Sequence, residues 1–196
     1  MRPVTGTGQG ELEYRHYRFP DGSEPKLLDI IRIGFSTPSP AQRQPENWLI
    51  DGSGWELIAR PARGESARIV VGSVSENPLL FGNSGKSVPY ARFERQSARE
   101  SLLLVEPGEI EWLHLDKARV QFSLGDFRYR LPLTDPSCVV RVKNLAEGSH
   151  RSVELGIAEN RKILFTISLS EPLDGVCYKL VAAVIVVPLG WHGLFD

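Results

Sequence analysis

The segment from residue 118 to residue 133 limits the fold more than any other part of the chain. Apolar and polar residues alternate on both sides of Gly125-Asp126, a dipeptide typical of the two-residue turn of a β-hairpin. This turn fixes the register of the two strands and places their apolar side chains on one face. The predicted cross-strand pairs are Leu124 with Phe127, Phe122 with Tyr129, and Val120 with Leu131.

The rest of the chain also favours short strands joined by turns. Gly and Pro number 18 and 14 among the 196 residues, a density that disfavours a helical bundle. One helix is predicted over Tyr90–Glu100, and we place a domain boundary near its end, which divides the chain into 1–98 and 99–196. We therefore expect a mainly β fold with at most one or two short helices. Predicted strands include 27–35, 55–59, 139–142, 153–158, 163–169 and 177–187.

The polar face of the hairpin is basic, although the whole chain is nearly neutral. Its 23 basic and 24 acidic residues give a net charge of −1, which excludes a strongly basic nucleic-acid binder as a description of the whole molecule. Between residues 117 and 143, however, six basic residues stand against two acidic ones. Either these cations pair with the acidic segment 106–116, or they face a ligand, since Arg binds phosphate through its planar fork. The candidate nucleic-acid-binding residues are Arg119, Arg128, Arg130, Lys143 and Lys179.

A second set of polar residues stands in apolar surroundings. The turn Gln44-Pro45-Glu46-Asn47-Trp48 either caps the end of a barrel or lines a pocket. Lys179 opens a strongly apolar strand, where a lysine either extends to the rim or serves a ligand. The candidate pocket residues are Glu46, Asn47, Trp48, Asp135 and Tyr178.

Two familiar motifs are incomplete. Ser84-Gly85-Lys86-Ser87 matches the end of a phosphate-binding P-loop, but Leu80 stands where the first glycine is required and Pro89 opposes the helix that should follow. We therefore interpret it as a basic surface loop. The four histidines lack the spacing of a metal site, so we predict no metal and no cofactor.

The cysteines and the N-terminus indicate a compartment. Cys138 and Cys177 form no CxxC pair, and two thiols cannot build a disulfide framework, which is typical of a reducing environment. Residues 1–6 contain no apolar signal segment, and the longest apolar run is far shorter than the ~20 residues of a membrane helix. We expect a cytoplasmic protein that does not bind membranes.

With these elements in place, the chain resembles the bacterial dual OB-containing domain family. The resemblance implies two OB-like β-barrels in tandem, a fold that commonly binds single-stranded nucleic acid or oligosaccharide. Similar proteins carry a further strand before Arg2-Pro3-Val4, so the first barrel either lacks a strand and exposes a sheet edge or begins upstream of Met1. The blocks that carry the resemblance are Arg2-Pro3-Val4, 21–30 (DGSEPKLLDI), 44–50 (QPENWLI), Ser101-Leu102, 129–136 (YRLPLTDP), 169–172 (LSEP) and 178–183 (YKLVAA).

These observations favour a non-catalytic module that binds single-stranded nucleic acid or a nucleotide through one barrel face. Against this stands the polar face of the hairpin, which has no aromatic residue on which a base could stack. Two alternatives stay open. One is a protein-interaction or structural module of a bacterial multi-component system, and the other is a small hydrolase that uses Glu46 or Asp135.

Overall fold

The computed structural model describes residues 1–7, 10–26, 28–60, 70 and 72–187. The predicted mainly β fold is confirmed, with three short α-helices in these residues where one or two were expected. The strands are β1 (Arg2–Val4), β2 (Ile30–Pro38), β3 (Asn47–Ala59), β4 (Ser87–Pro89), β5 (Leu102–Val105), β6 (Gly108–His114), β7 (Arg119–Leu124), β8 (Phe127–Pro132), β9 (Gly148–His150), β10 (Ile163–Leu173) and β11 (Val176–Val186). The helices are α1 (Tyr14–Tyr17), α2 (Tyr90–Arg95) and α3 (Pro136–Lys143), with single 3₁₀ turns at Leu80–Gly82 and Ser152–Leu155.

The N-terminal part forms a three-stranded sheet in the order β1-β3-β2. β1 is parallel to β3, with Arg2 opposite Asn47, whereas β2 and β3 are antiparallel and their register shifts at several irregularities. Of the predicted strand 27–35, residues 30–35 lie in β2, residues 28 and 29 precede it, and residue 27 lies outside the described residues. The predicted strand 55–59 is the last part of β3.

The C-terminal part forms two four-stranded sheets, with the orders β4-β11-β10-β5 and β8-β7-β6-β9. β5 and β6 are separated only by Glu106 and Pro107, so they act as two halves of one curved strand. The other end of the barrel closes where Leu133, just after β8, bridges Val181 of β11 in parallel. The resulting order is that of a five-stranded Greek-key barrel of the OB type, with α3 between its third and fourth strands.

Aromatic rings fill the interior of this barrel. Trp112, Phe122 and Phe165 are fully buried, and Phe165 meets the other two edge-on with ring centroids 5.8 and 5.2 Å apart. Such T-shaped contacts place a ring edge against the electron-rich face of its neighbour. The core residues come from both sheets, which is why the two sheets behave as one barrel rather than as separate layers.

The hairpin prediction is confirmed residue by residue. β7 and β8 pair with Leu124 opposite Phe127, Phe122 opposite Tyr129 and Val120 opposite Leu131. Gly125 has φ +52°, the left-handed conformation that primed turns require at their first central position. The apolar face points into the barrel, and the polar face lies outside.

Two strand predictions in the C-terminal half are wrong. Residues 139–142 lie in α3, because the Asp135 side chain caps the helix by accepting from the Cys138 amide at 2.9 Å and Pro136 occupies the first turn. Residues 153–155 lie in a 3₁₀ turn that ends at Gly156, which is left-handed with φ +76°.

The segment from residue 78 to residue 89 belongs structurally to the C-terminal barrel. Leu80 is fully buried in the barrel core, and β4 adds a strand to β11. The division of the chain at residues 98 and 99 stays a prediction. In the part of the chain described here, no helix is long and apolar enough to cross a membrane.

Candidate functional site

An open groove of about 640 Å³ lies along β8 and the start of β7, and the loops that precede β4 and β7 complete its lining. Arg119, Arg128 and Arg130 all line it, because alternation along the two strands turns their side chains away from the core. Lys86 also lines the groove, and Asp116 is the one acidic side chain among its lining residues. The groove therefore gathers four positive charges against one negative charge.

Cross-strand ion pairing accounts for only one of the three arginines. Arg128 lies 3.6 Å from the Glu109 carboxylate, with both side chains largely exposed. Arg119 and Arg130 make no ion pair with any residue that the structure describes. Both arginines are therefore available to an anionic ligand.

One wall of the groove comes from the loop 83–87, outside the hairpin. Ser84 and Lys86 are exposed there and line the groove beside the arginines. The incomplete P-loop match drew attention to this loop, but its place beside the hairpin depends on contacts between residues far apart in the chain. Sequence spacing alone therefore missed Lys86 as a site residue.

The two predicted lysines lie outside the groove. Lys143 is exposed at the end of α3 and is not among the lining residues. Lys179 is fully buried, where its ammonium donates to the backbone oxygen of Asn83 at 2.7 Å and to its side-chain oxygen at 2.8 Å. Burial, and then the nearby charge of Arg92, lower the pKa of Lys179 to about 8. The lysine therefore does not extend to the rim, and its ligand role stays a prediction.

Glu46 lies in the turn before β3, Asn47 is the first residue of β3, and the contacts of Glu46 join the N-terminal sheet to the barrel. The Glu46 side chain accepts from the amide and the hydroxyl of Ser101, the residue just before β5. Asn47 is buried against Gln44, with the two side-chain amides 3.2 Å apart. Of the two interpretations of this turn, its contacts favour a structural cap over a pocket.

The remaining pocket candidates serve separate parts of the fold. Trp48 meets Phe35 edge-on with ring centroids 6.1 Å apart, and Tyr178 lies half-buried on β11. Burial acts to raise the pKa of Asp135, but the hydrogen bonds from the amides of Cys138 and Val184 and from Ser137 together lower it. Among the described residues, the side chains of Glu46 and Asp135 have no common hydrogen-bond partner.

Tyr129 is the one aromatic residue among the groove's lining residues, but it is almost fully buried and offers no open ring face for stacking. Tyr129 and Phe122 stack on each other inside the barrel, with ring centroids 5.6 Å apart. Within the described ranges, no group of three or more His, Cys, Asp or Glu residues is arranged to hold a metal ion. The chemistry available in the groove is therefore the binding of anions by guanidinium and ammonium groups.

The barrel topology agrees with a comparison of the sequence with known families. The model of the dual OB-containing domain matches residues 1–184 of the 196-residue chain. No curated protein and no solved structure matches it. A match over nearly the whole chain, together with the strand order of the C-terminal barrel, shows that the protein belongs to the dual OB-containing domain family.

Proposed function

We propose that this protein binds single-stranded nucleic acid along the groove outside β7 and β8, without catalysing a reaction. The observation that carries the proposal is the convergence of Arg119, Arg128, Arg130 and Lys86 on one open groove, with Arg119 and Arg130 free of ion pairs among the described residues. Such a concentration of like charge is unfavourable by itself and becomes favourable when phosphates occupy the groove.

The position of the groove on the barrel supports the proposal. β7 and β8 are the second and third barrel strands, and Asp116 lies in the loop between the first and second strands. OB-type barrels generally use these elements to bind oligonucleotides or oligosaccharides. The positive charge of this groove favours the phosphodiester backbone over a neutral sugar chain.

The absence of an exposed ring in the described groove sets the expected mode of binding. Stacking on aromatic side chains contributes about 1–3 kcal/mol per base in many single-strand binders. Without it, binding depends on phosphate contacts, so we expect weak base preference and strong salt dependence. A mononucleotide should compete poorly because it reaches only part of the groove.

Titration of a fluorescein-labelled oligo(dT) at several salt concentrations tests this proposal. With three or four phosphate contacts, the log–log slope of affinity against salt should lie between about −2 and −3. Arg119→Glu and Arg130→Glu should each weaken binding and reduce the magnitude of the slope by roughly 0.7–1. Glu109→Gln should strengthen binding, because it releases Arg128 from its ion pair. A gain of affinity cannot result from misfolding.

Two charge reversals outside the groove serve as controls. Arg95→Glu on α2 and Lys143→Glu at the end of α3 change the net charge by the same amount as the groove variants, and both residues are exposed. They should leave the slope unchanged. The proposal is wrong if the wild-type chain binds neither single-stranded DNA nor RNA at low salt, an outcome that would favour the protein-interaction alternative. It is equally wrong if the control and groove variants behave alike.

A further inference from the structure

The 78–89 segment fills the space between β8 and β11. In the described part of the chain, the backbone bridge between the β8 side and β11 joins Leu133 to Val181, and β4 pairs with β11 over Val176–Tyr178. On the β8 side, the Tyr129 hydroxyl donates to the Pro78 carbonyl at 2.6 Å and accepts from the Leu80 amide at 3.3 Å. The segment therefore completes the barrel wall at the place where the two barrel strands separate.

Polar contacts around Asn83 fix the conformation of the loop 83–87 within this segment. The Asn83 side chain accepts from the Gly85 amide at 2.8 Å and donates to the Ser87 carbonyl at 3.3 Å. The same side-chain oxygen accepts from the Lys179 ammonium at 2.8 Å, and the Lys179 amide donates to the Lys86 carbonyl at 3.0 Å. Asn83 thus connects the loop to a fully buried charge on β11.

The burial of Lys179 is costly for the fold alone. Its ammonium has no carboxylate partner in the described chain, and its remaining contact is the Tyr129 ring, with Nζ 5.6 Å from the centroid. An apolar residue of similar length would avoid the cost of desolvating a charge. It could not, however, donate to the two oxygens of Asn83, so the lysine has a specific effect on this loop.

We propose that Lys179 is a positioning residue, which holds Asn83 so that the exposed Lys86 contacts a phosphate of the bound strand. This inference rests on the proposed function and extends its binding surface from the hairpin to the loop 83–87. Lys86 and the arginines of β7 and β8 line the same groove, Lys86 from the loop 83–87 and the arginines from the hairpin. A strand in the groove then lies between the hairpin and this loop.

A double-mutant cycle with oligo(dT) tests the inference. Lys86→Met should weaken binding several-fold and reduce the magnitude of the salt slope by about 0.7, the value for one phosphate contact on a single strand. Lys179→Met should give the same loss although its side chain is buried, and the double variant should lose no more than either single variant. Additive losses would overturn the inference, because two independent effects add. If Lys179→Met fails to fold, Asn83→Ala is the substitute, because it removes the side-chain oxygen that accepts from Lys179. It should cause the same loss of oligo(dT) affinity.

Hydrogen–deuterium exchange without ligand separates this inference from the proposed function. Lys179→Met should speed exchange at residues 83–87 and leave exchange in β7 and β8 unchanged, while Lys86→Met should change neither. Unchanged exchange at 83–87 in Lys179→Met overturns the positioning role alone. If the wild-type chain does not bind oligo(dT), the proposed function is wrong, and the phosphate contact of Lys86 is wrong with it.

Discussion

Lys179 carries a positive charge into the barrel, and its own contribution to stability depends on pH. Burial and the charge of Arg92 lower its pKa from 10.5 to about 8 in the folded chain. Above about pH 8 the folded lysine is neutral, whereas the unfolded lysine keeps its proton up to about pH 10.5. The unfolded state then binds more protons, so the free energy of unfolding contributed by this group rises with pH.

We predict that the wild-type chain gains stability relative to Lys179→Met as the pH rises from 7 to 9. Urea unfolding of both proteins at pH 7, 8 and 9 measures the difference. Tyr129, which faces the ammonium, stays neutral in this window because burial raises its pKa above 10.0. Burial also raises the pKa of Cys138 to about 11, which lowers stability above about pH 9 in both proteins and cancels in the comparison. Parallel stability curves would contradict the prediction.

At the scale of elements, the sequence predicted the hairpin but not the helix that follows it. For β7 and β8, the turn residues and the alternation of apolar side chains agree, and each requires the same register. For α3, the β-branched pair Val139-Val140 favours a strand, while Asp135 and Pro136 favour the start of a helix. The capping interaction and burial of Cys138 and Val142 against the barrel outweigh the local preference.

Asp135 should therefore be the residue on which the position of α3 depends. Its carboxylate accepts from the Cys138 amide at 2.9 Å and from the Val184 amide at 3.0 Å, which joins the helix to β11. Asp135→Ala should lower the free energy of unfolding by about 2–3 kcal/mol, the sum of a lost cap and a lost buried hydrogen bond. Urea denaturation followed by circular dichroism measures this loss.

Ser137→Ala is the matched control for the cap. Its hydroxyl donates to the same carboxylate at 2.8 Å but is exposed, so its removal should cost less than about 1 kcal/mol. Asp135→Asn should lower the free energy of unfolding by an amount between those of Asp135→Ala and Ser137→Ala. Asparagine also caps helices, but it presents an N–H group to one of the two amides. Equal losses for Asp135→Ala and Ser137→Ala would show that the cap does not anchor the helix.

At the scale of the whole molecule, the turn 41–47 connects the N-terminal sheet to the C-terminal barrel. Gln42 accepts from the Ala98 amide at 2.7 Å, and Arg43 forms an ion pair with Glu171 near the end of β10. The turn also anchors β1, because the Glu46 carbonyl accepts from the Arg2 amide at 2.7 Å. The polar composition of the turn marked it as a candidate site, but its partners lie more than 40 residues away in the chain, so no local pattern could identify them.

Glu46 provides the test of this connection. Ser101 is fully buried, so Glu46→Ala should leave its amide without an acceptor and lower the free energy of unfolding by about 1–3 kcal/mol. Glu46→Gln keeps an acceptor oxygen and removes a carboxylate whose second oxygen is buried without a partner among the described residues, so its cost should stay below about 1 kcal/mol. Urea denaturation measures both changes. Because Glu46 lies outside the groove, oligo(dT) affinity should be unchanged in each variant. Equal destabilisation by Glu46→Ala and Glu46→Gln would contradict the prediction. It would mean that the charge of Glu46, and not its hydrogen bond to Ser101, holds the N-terminal sheet against the barrel.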